Sequence, residues 1–140
     1  MPISMHKVQV WTCEIPDRPG AAAAKLELLA RSGANLEFIF TRPVAGKLET
    51  SAIFLAPING PEQVQAAQQA GLAPARDMVM LNVEGDNCPG IGFALMSRLA
   101  VAGINLRGLS ISAVGERFAA NLAFDNPDTA GLAVQVLATL

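Results

Sequence analysis

The stretch Glu84–Leu106, EGDNCPGIGFALMSRLAVAGINL, restates the stretch Glu14–Leu36, EIPDRPGAAAAKLELLARSGANL, at an offset of 70 residues. Nine positions are identical and are mainly turn and core types: Glu14/Glu84, Pro19/Pro89, Gly20/Gly90, Ala24/Ala94, Leu29/Leu99, Ala30/Ala100, Gly33/Gly103, Asn35/Asn105 and Leu36/Leu106. Further matches, such as Phe54 with Phe124, continue at the same offset without a gap. The sequence therefore predicts a duplicated supersecondary unit, with repeat 1 over residues 1–70 and repeat 2 over residues 71–140.

Each repeat predicts the order strand, helix, strand, strand, helix. In repeat 1, the alternation of apolar residues from Lys7 to Ile15 predicts a strand, and the alanine- and leucine-rich run that follows predicts a helix ending before Gly33. Asn35 is predicted to open the next strand, which forms a hairpin with its successor. The four predicted helices cover residues 21–31, 63–70, 90–102 and 127–137.

A split βαβ unit of this kind has a fourth strand beside the first. Repeat 2 has no room for that strand after its last helix. We therefore expect the extended run 73–84 to serve twice, closing the first sheet and opening the second. By the same symmetry, residues 3–7 are expected to close the second sheet.

Composition and charge exclude several functional classes. The net charge of −2, the scattered basic residues and the absence of tyrosine disfavour nucleic-acid binding. No apolar run approaches the ~18–20 residues of a membrane span, and the first residues do not resemble a signal peptide, so we expect a cytoplasmic protein. The apolar fraction of 51% is high and favours a homo-oligomer, for example a homodimer.

The sequence lacks the residue patterns expected of an enzyme active site. His6 is the one histidine, and no serine, cysteine or carboxylate pattern marks it as a base partner. Cys13 and Cys88 have no metal-ligand spacing, and the segment Gly90-Ile91-Gly92 lacks the third glycine of a phosphate-binding loop. We therefore expect no catalytic residues, no metal and no cofactor.

The turn before the first helix of each repeat is the better candidate for a binding site. A helix N-terminus has unpaired backbone N–H groups that suit a carboxylate, and Gly20 and Gly90 allow a ligand to approach the backbone closely. Asp17 and its counterpart Asn87 could accept a hydrogen bond from an ammonium group. The alternative is structural, because Asp and Asn are also preferred helix N-cap residues.

Asn35 and Asn105 recur after Gly33 and Gly103, each at the start of a segment that is otherwise apolar. Two interpretations remain open for this pair. Each asparagine either forms a turn through backbone hydrogen bonds or contacts a ligand.

Taken together, the segments Asp17-Arg18-Pro19-Gly20 and Ser32-Gly33-Ala34-Asn35-Leu36, with their counterparts in repeat 2, resemble the ACT domain family. The resemblance covers both halves of the chain. It implies an α+β fold of two ferredoxin-like βαββαβ repeats, with antiparallel sheets packed side by side and helices on one face. It also implies an allosteric regulatory protein that binds an amino acid where two such domains pair, with a regulated enzyme as a possible partner.

The resemblance further implies which residues contact the ligand. One site would combine Asp17, Pro19 and Gly20 with Asn105, and the other would combine Asn87, Pro89 and Gly90 with Asn35. The inequality of Asp17 and Asn87 leaves open whether both sites function. The alternative functions are a structural oligomerisation or protein-interaction module with no ligand, and a small ferredoxin-like enzyme.

Overall fold

The computed structural model describes residues 2–140. Within them the secondary structure comprises, in chain order, β1 (Ile3–Val8), β2 (Trp11–Pro16), α1 (Ala21–Arg31), β3 (Phe38–Pro43), β4 (Thr50–Ala56), α2 (Gly60–Gln69), β5 (Ala73–Pro74), β6 (Val79–Asp86), α3 (Ile91–Val101), β7 (Gly108–Val114), β8 (Arg117–Phe124) and α4 (Pro127–Leu137). The bounds of α1 and α4 agree with the predicted ones. None of these helices is long and apolar enough to cross a bilayer.

The chain divides into two compact units that do not coincide with the two sequence repeats. The central unit is Gln9–Ala75, and the split unit joins the segment ending at Val8 to Arg76–Leu140. Each unit therefore takes its fourth strand from the other repeat.

Both units contain a four-stranded antiparallel sheet of the same topology. The strand order is β3-β4-β2-β5 in the central unit and β1-β6-β8-β7 in the split unit. Ala73–Pro74 pairs with β2, while Val79–Asp86 pairs with β8 and with β1. The prediction that residues 73–84 serve both sheets and that residues 3–7 close the second one is thus confirmed, as is the α+β fold class.

The single strand predicted from Lys7 to Ile15 is wrong. The chain leaves β1 after Val8, and β2 begins at Trp11 in the other unit. Between them the Val10 carbonyl accepts a hydrogen bond from the Ala75 N–H at 2.8 Å. Apolar alternation continues through this segment, so the pattern alone did not indicate the change of sheet.

The gapless alignment of the two repeats is also wrong beyond β3 and β7. Glu14 pairs with Ala52, but Glu84 pairs with Ala119, so β8 lies 67 residues after β4 (119 − 52) rather than 70. The cause is the hairpin turn, because the turn from β3 to β4 is three residues longer than the turn from β7 to β8. In the first hairpin Pro43 pairs with Ser51, and in the second Ala113 pairs with Phe118.

The N-cap residues of the last helix in each unit show that the offset of 67 residues continues beyond the sheets. The N-cap residues of α2 and α4 are Asn59 and Asn126. The matches of Phe54 with Phe124 and of Pro57 with Pro127 therefore join residues that are not structurally equivalent.

Each unit buries its own core between its sheet and its two helices. Along β4 the alternate residues Ser51, Ile53 and Leu55 are buried, and Ile53 and Leu55 pack with Leu29 of α1 and Ala67 of α2. The split unit packs a larger set in the same way: Leu81, Leu95, Leu99, Phe118, Leu122, Phe124 and Leu137. The helices thus cover one face of each sheet, and their N-terminal turns lie beyond the ends of β2 and β6.

Candidate functional site

The turn between β2 and α1 is fixed by backbone hydrogen bonds. The Asp17 N–H donates to the Glu49 carbonyl at 2.8 Å, and the Ala24 N–H donates to the Gly20 carbonyl at 3.0 Å. Gly20 has a φ of 86°, a left-handed conformation that suits glycine. No heavy atom from outside the turn lies within 4 Å of the position that a Cβ on Gly20 would occupy. The backbone of this turn is therefore open to a ligand.

The turn between β6 and α3 repeats these bonds. The Asn87 N–H donates to the Glu116 carbonyl at 2.8 Å, and the Ala94 N–H donates to the Gly90 carbonyl at 2.9 Å. Gly90 has a φ of 83° and open space around it. The prediction that these two turns are equivalent is confirmed at the level of the backbone.

The capping interpretation of Asp17 and Asn87 is wrong. The N-cap positions of α1 and α3 are Gly20 and Gly90, and neither helix has a side-chain cap hydrogen bond. The chain reaches each helix through Pro-Gly, which places the acidic or amide residue three positions before the cap. Both side chains are exposed and make no hydrogen bond or ion pair within residues 2–140.

Asn35 and Asn105 lie in loops rather than opening strands, which corrects the prediction. Each loop begins with a Schellman motif, in which the Ala34 N–H donates to the Leu29 carbonyl at 3.1 Å and the Ile104 N–H donates to the Leu99 carbonyl at 2.9 Å. Strand β3 starts only at Phe38 and β7 at Gly108. Both asparagine side chains are exposed and have no hydrogen-bond partner among the described residues.

The two kinds of candidate residue stand at opposite ends of a helix. Asp17 precedes α1 and Asn35 follows it, and 11 residues of α-helix span about 16 Å. The same holds for Asn87 and Asn105 around α3. The structure brings Asp17, Pro19 and Gly20 together in one turn, and Asn87, Pro89 and Gly90 in another. A site that joins a turn to an asparagine loop must therefore draw on two domains.

The central unit also has a pocket of about 150 Å³ beside its turn, which the sequence did not reveal. Its lining includes Ile15, Asp17, Ala21, Ala22, Thr41 and Ser51. One signal in the sequence could have found it, because Ser51 is a polar residue at a position in phase with the buried Ile53 and Leu55. That signal was missed.

The cysteine of repeat 1 and the single histidine lie on strands. Burial raises the pKa of the Cys13 thiol, and the nearby Lys25 only partly offsets this effect. His6 is exposed on β1, opposite Asn82. Within residues 2–140 no group of three or more His, Cys, Asp and Glu side chains is placed to hold a metal ion.

Comparisons with solved structures relate this geometry to proteins of known fold. Protein BT0572 from Bacteroides thetaiotaomicron has a TM-score of 0.75 and 14% identity, over 96% of this chain and 88% of that one. The ligand-free regulatory subunit of aspartate kinase from Thermus thermophilus has a TM-score of 0.64 and 18% identity, over 98% and 95%. E. coli aspartokinase III in complex with lysine and aspartate has a TM-score of 0.59 and 12% identity, over 100% of this chain and 33% of that one.

No model of a known protein family matches the sequence, and no curated protein matches it. At these identities the likeness is one of fold. The two ferredoxin-like units and their strand order give this chain the ACT-like α+β fold seen in the regulatory subunits of aspartate kinase.

Proposed function

We propose that this protein is a non-enzymatic regulatory protein that binds a small amino acid at its ACT-like turns. The observation that carries the proposal is that four polar side chains at repeated positions make no hydrogen bond or ion pair among residues 2–140. They are those of Asp17, Asn87, Asn35 and Asn105. Capping no longer accounts for the first two.

The groups around the first turn match the two ends of an amino acid. The Asp17 carboxylate suits an ammonium group. The Ala21 N–H donates to the Arg18 carbonyl at 3.3 Å, whereas the next two N–H groups of α1 have no acceptor among residues 2–140. These two groups carry partial positive charge, which suits a carboxylate. Gly20 leaves the approach to them open.

The full site would include an asparagine loop from a paired domain. The predicted combinations, Asp17 and Gly20 with Asn105 and Asn87 and Gly90 with Asn35, stay predictions. They are compatible with the separation of turn and loop by a whole helix in each unit. A second copy of the chain could equally supply the loop.

Proteins of the same fold support a regulatory role. The structures similar to this chain include a regulatory subunit of aspartate kinase and an aspartokinase in complex with lysine and aspartate. By analogy of fold, the ligand-dependent partner of this chain would be an enzyme of amino-acid metabolism.

Thermal unfolding of the full chain with each of the twenty amino acids tests the proposal. A ligand at 100 times its Kd stabilises the folded state by about 2.7 kcal/mol, which raises the Tm measurably. Calorimetry should then give a micromolar Kd that Asp17→Asn and Asn105→Ala weaken. Asn59→Ala serves as the control, because Asn59 follows β4 at the end of the sheet opposite to the β2–α1 turn and makes no side-chain cap hydrogen bond. If no amino acid shifts the Tm, the proposed function is wrong.

A second candidate function is association through the edge strands without a ligand. The edge strands β3 and β7 expose apolar side chains, with Ile39 at 50%, Phe40 at 44% and Leu109 at 49% exposure. Unpaired edges with apolar side chains favour pairing with another chain. Sedimentation should then show a dimer that Ile39→Lys or Leu109→Lys dissociates, with no effect of amino acids.

A further inference from the structure

The pocket beside the first turn is small and has a mixed lining. Its volume is about 150 Å³, and a cavity of about that size holds a molecule as large as benzene. The lining includes the apolar residues Ile15, Ala21 and Ala22 and the hydroxyl-bearing residues Thr41 and Ser51. All of these residues belong to the central unit.

Ser51 is the residue that needs an explanation. It is 8% exposed, and among the residues that the structure describes it is the one buried polar residue. Its position in β4 directs the side chain toward the helices, in phase with Ile53 and Leu55. The hydroxyl has no hydrogen-bond partner in the described chain, and its oxygen is not one of the fully buried unpaired atoms there, so it is accessible to a ligand in the pocket.

The split unit has apolar residues at the equivalent positions. Ile15 pairs with Ser51, and its counterpart Gly85 pairs with Phe118, so Phe118 occupies the place of Ser51. Phe118 is 1% exposed, and its Cε1 lies 2.9 Å from the position that a Cβ on Gly85 would take. The position equivalent to Thr41 is Ile111, which lies against Gly92. At this place the central unit therefore has two hydroxyl groups without a partner among residues 2–140, whereas the split unit has Phe118 and Ile111.

We propose that this pocket holds the side chain of the bound amino acid, and that the central unit supplies the one functional turn of each chain. This inference rests on the proposed function and specifies its site and ligand class. Asp17 and Arg18, the charged residues of the lining, are both exposed and would hold the ammonium and carboxylate groups at the rim.

The lining also determines the chemical class of the ligand. Ser51 and Thr41 can each donate and accept a hydrogen bond. Asp17 and Arg18 would bind the ammonium and carboxylate groups, so the lining has no further charge to pair with an ionised side chain. The ligand is therefore a small amino acid with a neutral, hydrogen-bonding side chain. Serine against alanine tests the hydroxyl group, and asparagine against aspartate tests the charge at nearly constant shape.

Calorimetry on the full chain gives the direct test. We expect one ligand per chain, tighter binding of serine than of alanine, and binding of asparagine at least about tenfold tighter than that of aspartate. Ser51→Ala and Thr41→Val should each weaken binding of the polar ligand by roughly 2- to 12-fold, as loss of one hydrogen bond implies. Ser112→Ala, on the exposed part of β7, should leave the affinity unchanged.

Ser51→Phe introduces the residue of the split unit opposite Ile15 rather than opposite a glycine, and the larger side chain should abolish binding. The ligand-free Tm provides a readout that does not depend on binding, because Ser51→Ala removes an unpaired hydroxyl and should leave the Tm equal or higher. If Ser51→Phe does not fold, the affinities of Ser51→Ala and Thr41→Val still test whether the pocket binds the ligand.

Two negative results have different meanings. If the wild-type chain binds an amino acid but the Ser51 and Thr41 variants bind it equally well, the pocket assignment is wrong and the proposed function stands. Two ligands per chain, or a preference for aspartate over asparagine, would also overturn the assignment. If the wild-type chain binds no amino acid, the function and the pocket assignment fail together.

Discussion

Replacing Gly85 by alanine tests the placement of the exchanged strand β1. A Cβ at this position would lie 2.9 Å from Phe118 Cε1, 3.1 Å from Ile3 Cγ2 and 3.3 Å from the Pro2 carbonyl oxygen. Two of these three atoms belong to the N-terminal segment. Gly131, inside α4, has no such neighbour within 4 Å, so Gly131→Ala is the matched control.

The two variants should differ in the sign of their effect. Overpacking at residue 85 costs about 1–3 kcal/mol, and the loss of glycine flexibility returns about 0.5–1 kcal/mol. We therefore expect Gly85→Ala to lower the free energy of unfolding by roughly 0.5–2 kcal/mol. Gly131→Ala should raise it by about 0.5–1 kcal/mol, since alanine is the better helix former.

Urea unfolding followed by far-UV circular dichroism measures both changes. Adding Ile3→Ala to Gly85→Ala should recover part of the loss, because it removes one of the crowding atoms, and a double-mutant cycle would show this coupling. The placement of β1 against β6 is wrong if Gly85→Ala is as well tolerated as Gly131→Ala and shows no coupling to Ile3.

Three further predictions concern local contacts. Asn126→Ala should lower the free energy of unfolding by about 0.5–2 kcal/mol, because the Asn126 side chain accepts a hydrogen bond from the Thr129 N–H at 2.8 Å. Chemical denaturation measures this change. In the same assay Asn59→Ala should cost little, because Asn59 makes no such cap bond. Lys25→Met should cost about 1 kcal/mol, since Lys25 Nζ donates to the carbonyl of Ala70 at the C-terminus of α2 at 2.6 Å, and a Tm unchanged from wild type would contradict this. Because burial raises the pKa of the Cys13 thiol, its alkylation by iodoacetamide, followed by peptide mass spectrometry, should require a higher pH than that of free cysteine. The contribution of the buried thiol to stability is complete below its unfolded pKa of about 8.5 and is lost as the pH rises through the folded pKa.

The features that were predictable from the sequence are those set by local chemistry or by strand counting. The bounds of α1 follow from helix propensity and from the left-handed Gly33, which has a φ of 81°. We predicted the exchange of strands because the predicted elements of repeat 2 do not include a fourth strand. Both inferences need only the order of the elements.

The features that were not predictable depend on the register of a strand and on the size of one side chain. The register of β4 is set by the length of the turn before it, and chance identities such as Phe54 with Phe124 concealed the change in that length. The pocket is lined by Ser51 where the split unit has Phe118, a difference that becomes visible only once the two strands are aligned correctly. The prediction that Asp17 caps α1 was wrong because the N-cap position is occupied by Gly20.

The exchange of strands has a consequence for how this chain could evolve or be divided. The two ends of the central unit are neighbours, since the Ala75 N–H binds the Val10 carbonyl, and Val8 faces Met80 across the pair β1–β6. Excising codons 9–75 would therefore join β1 to β6 as a plain hairpin and leave a complete four-stranded sheet. Cutting the gene at residue 70 would instead deprive each product of one strand. The segment that was duplicated and the segment that can be transplanted are thus different pieces of the same polypeptide.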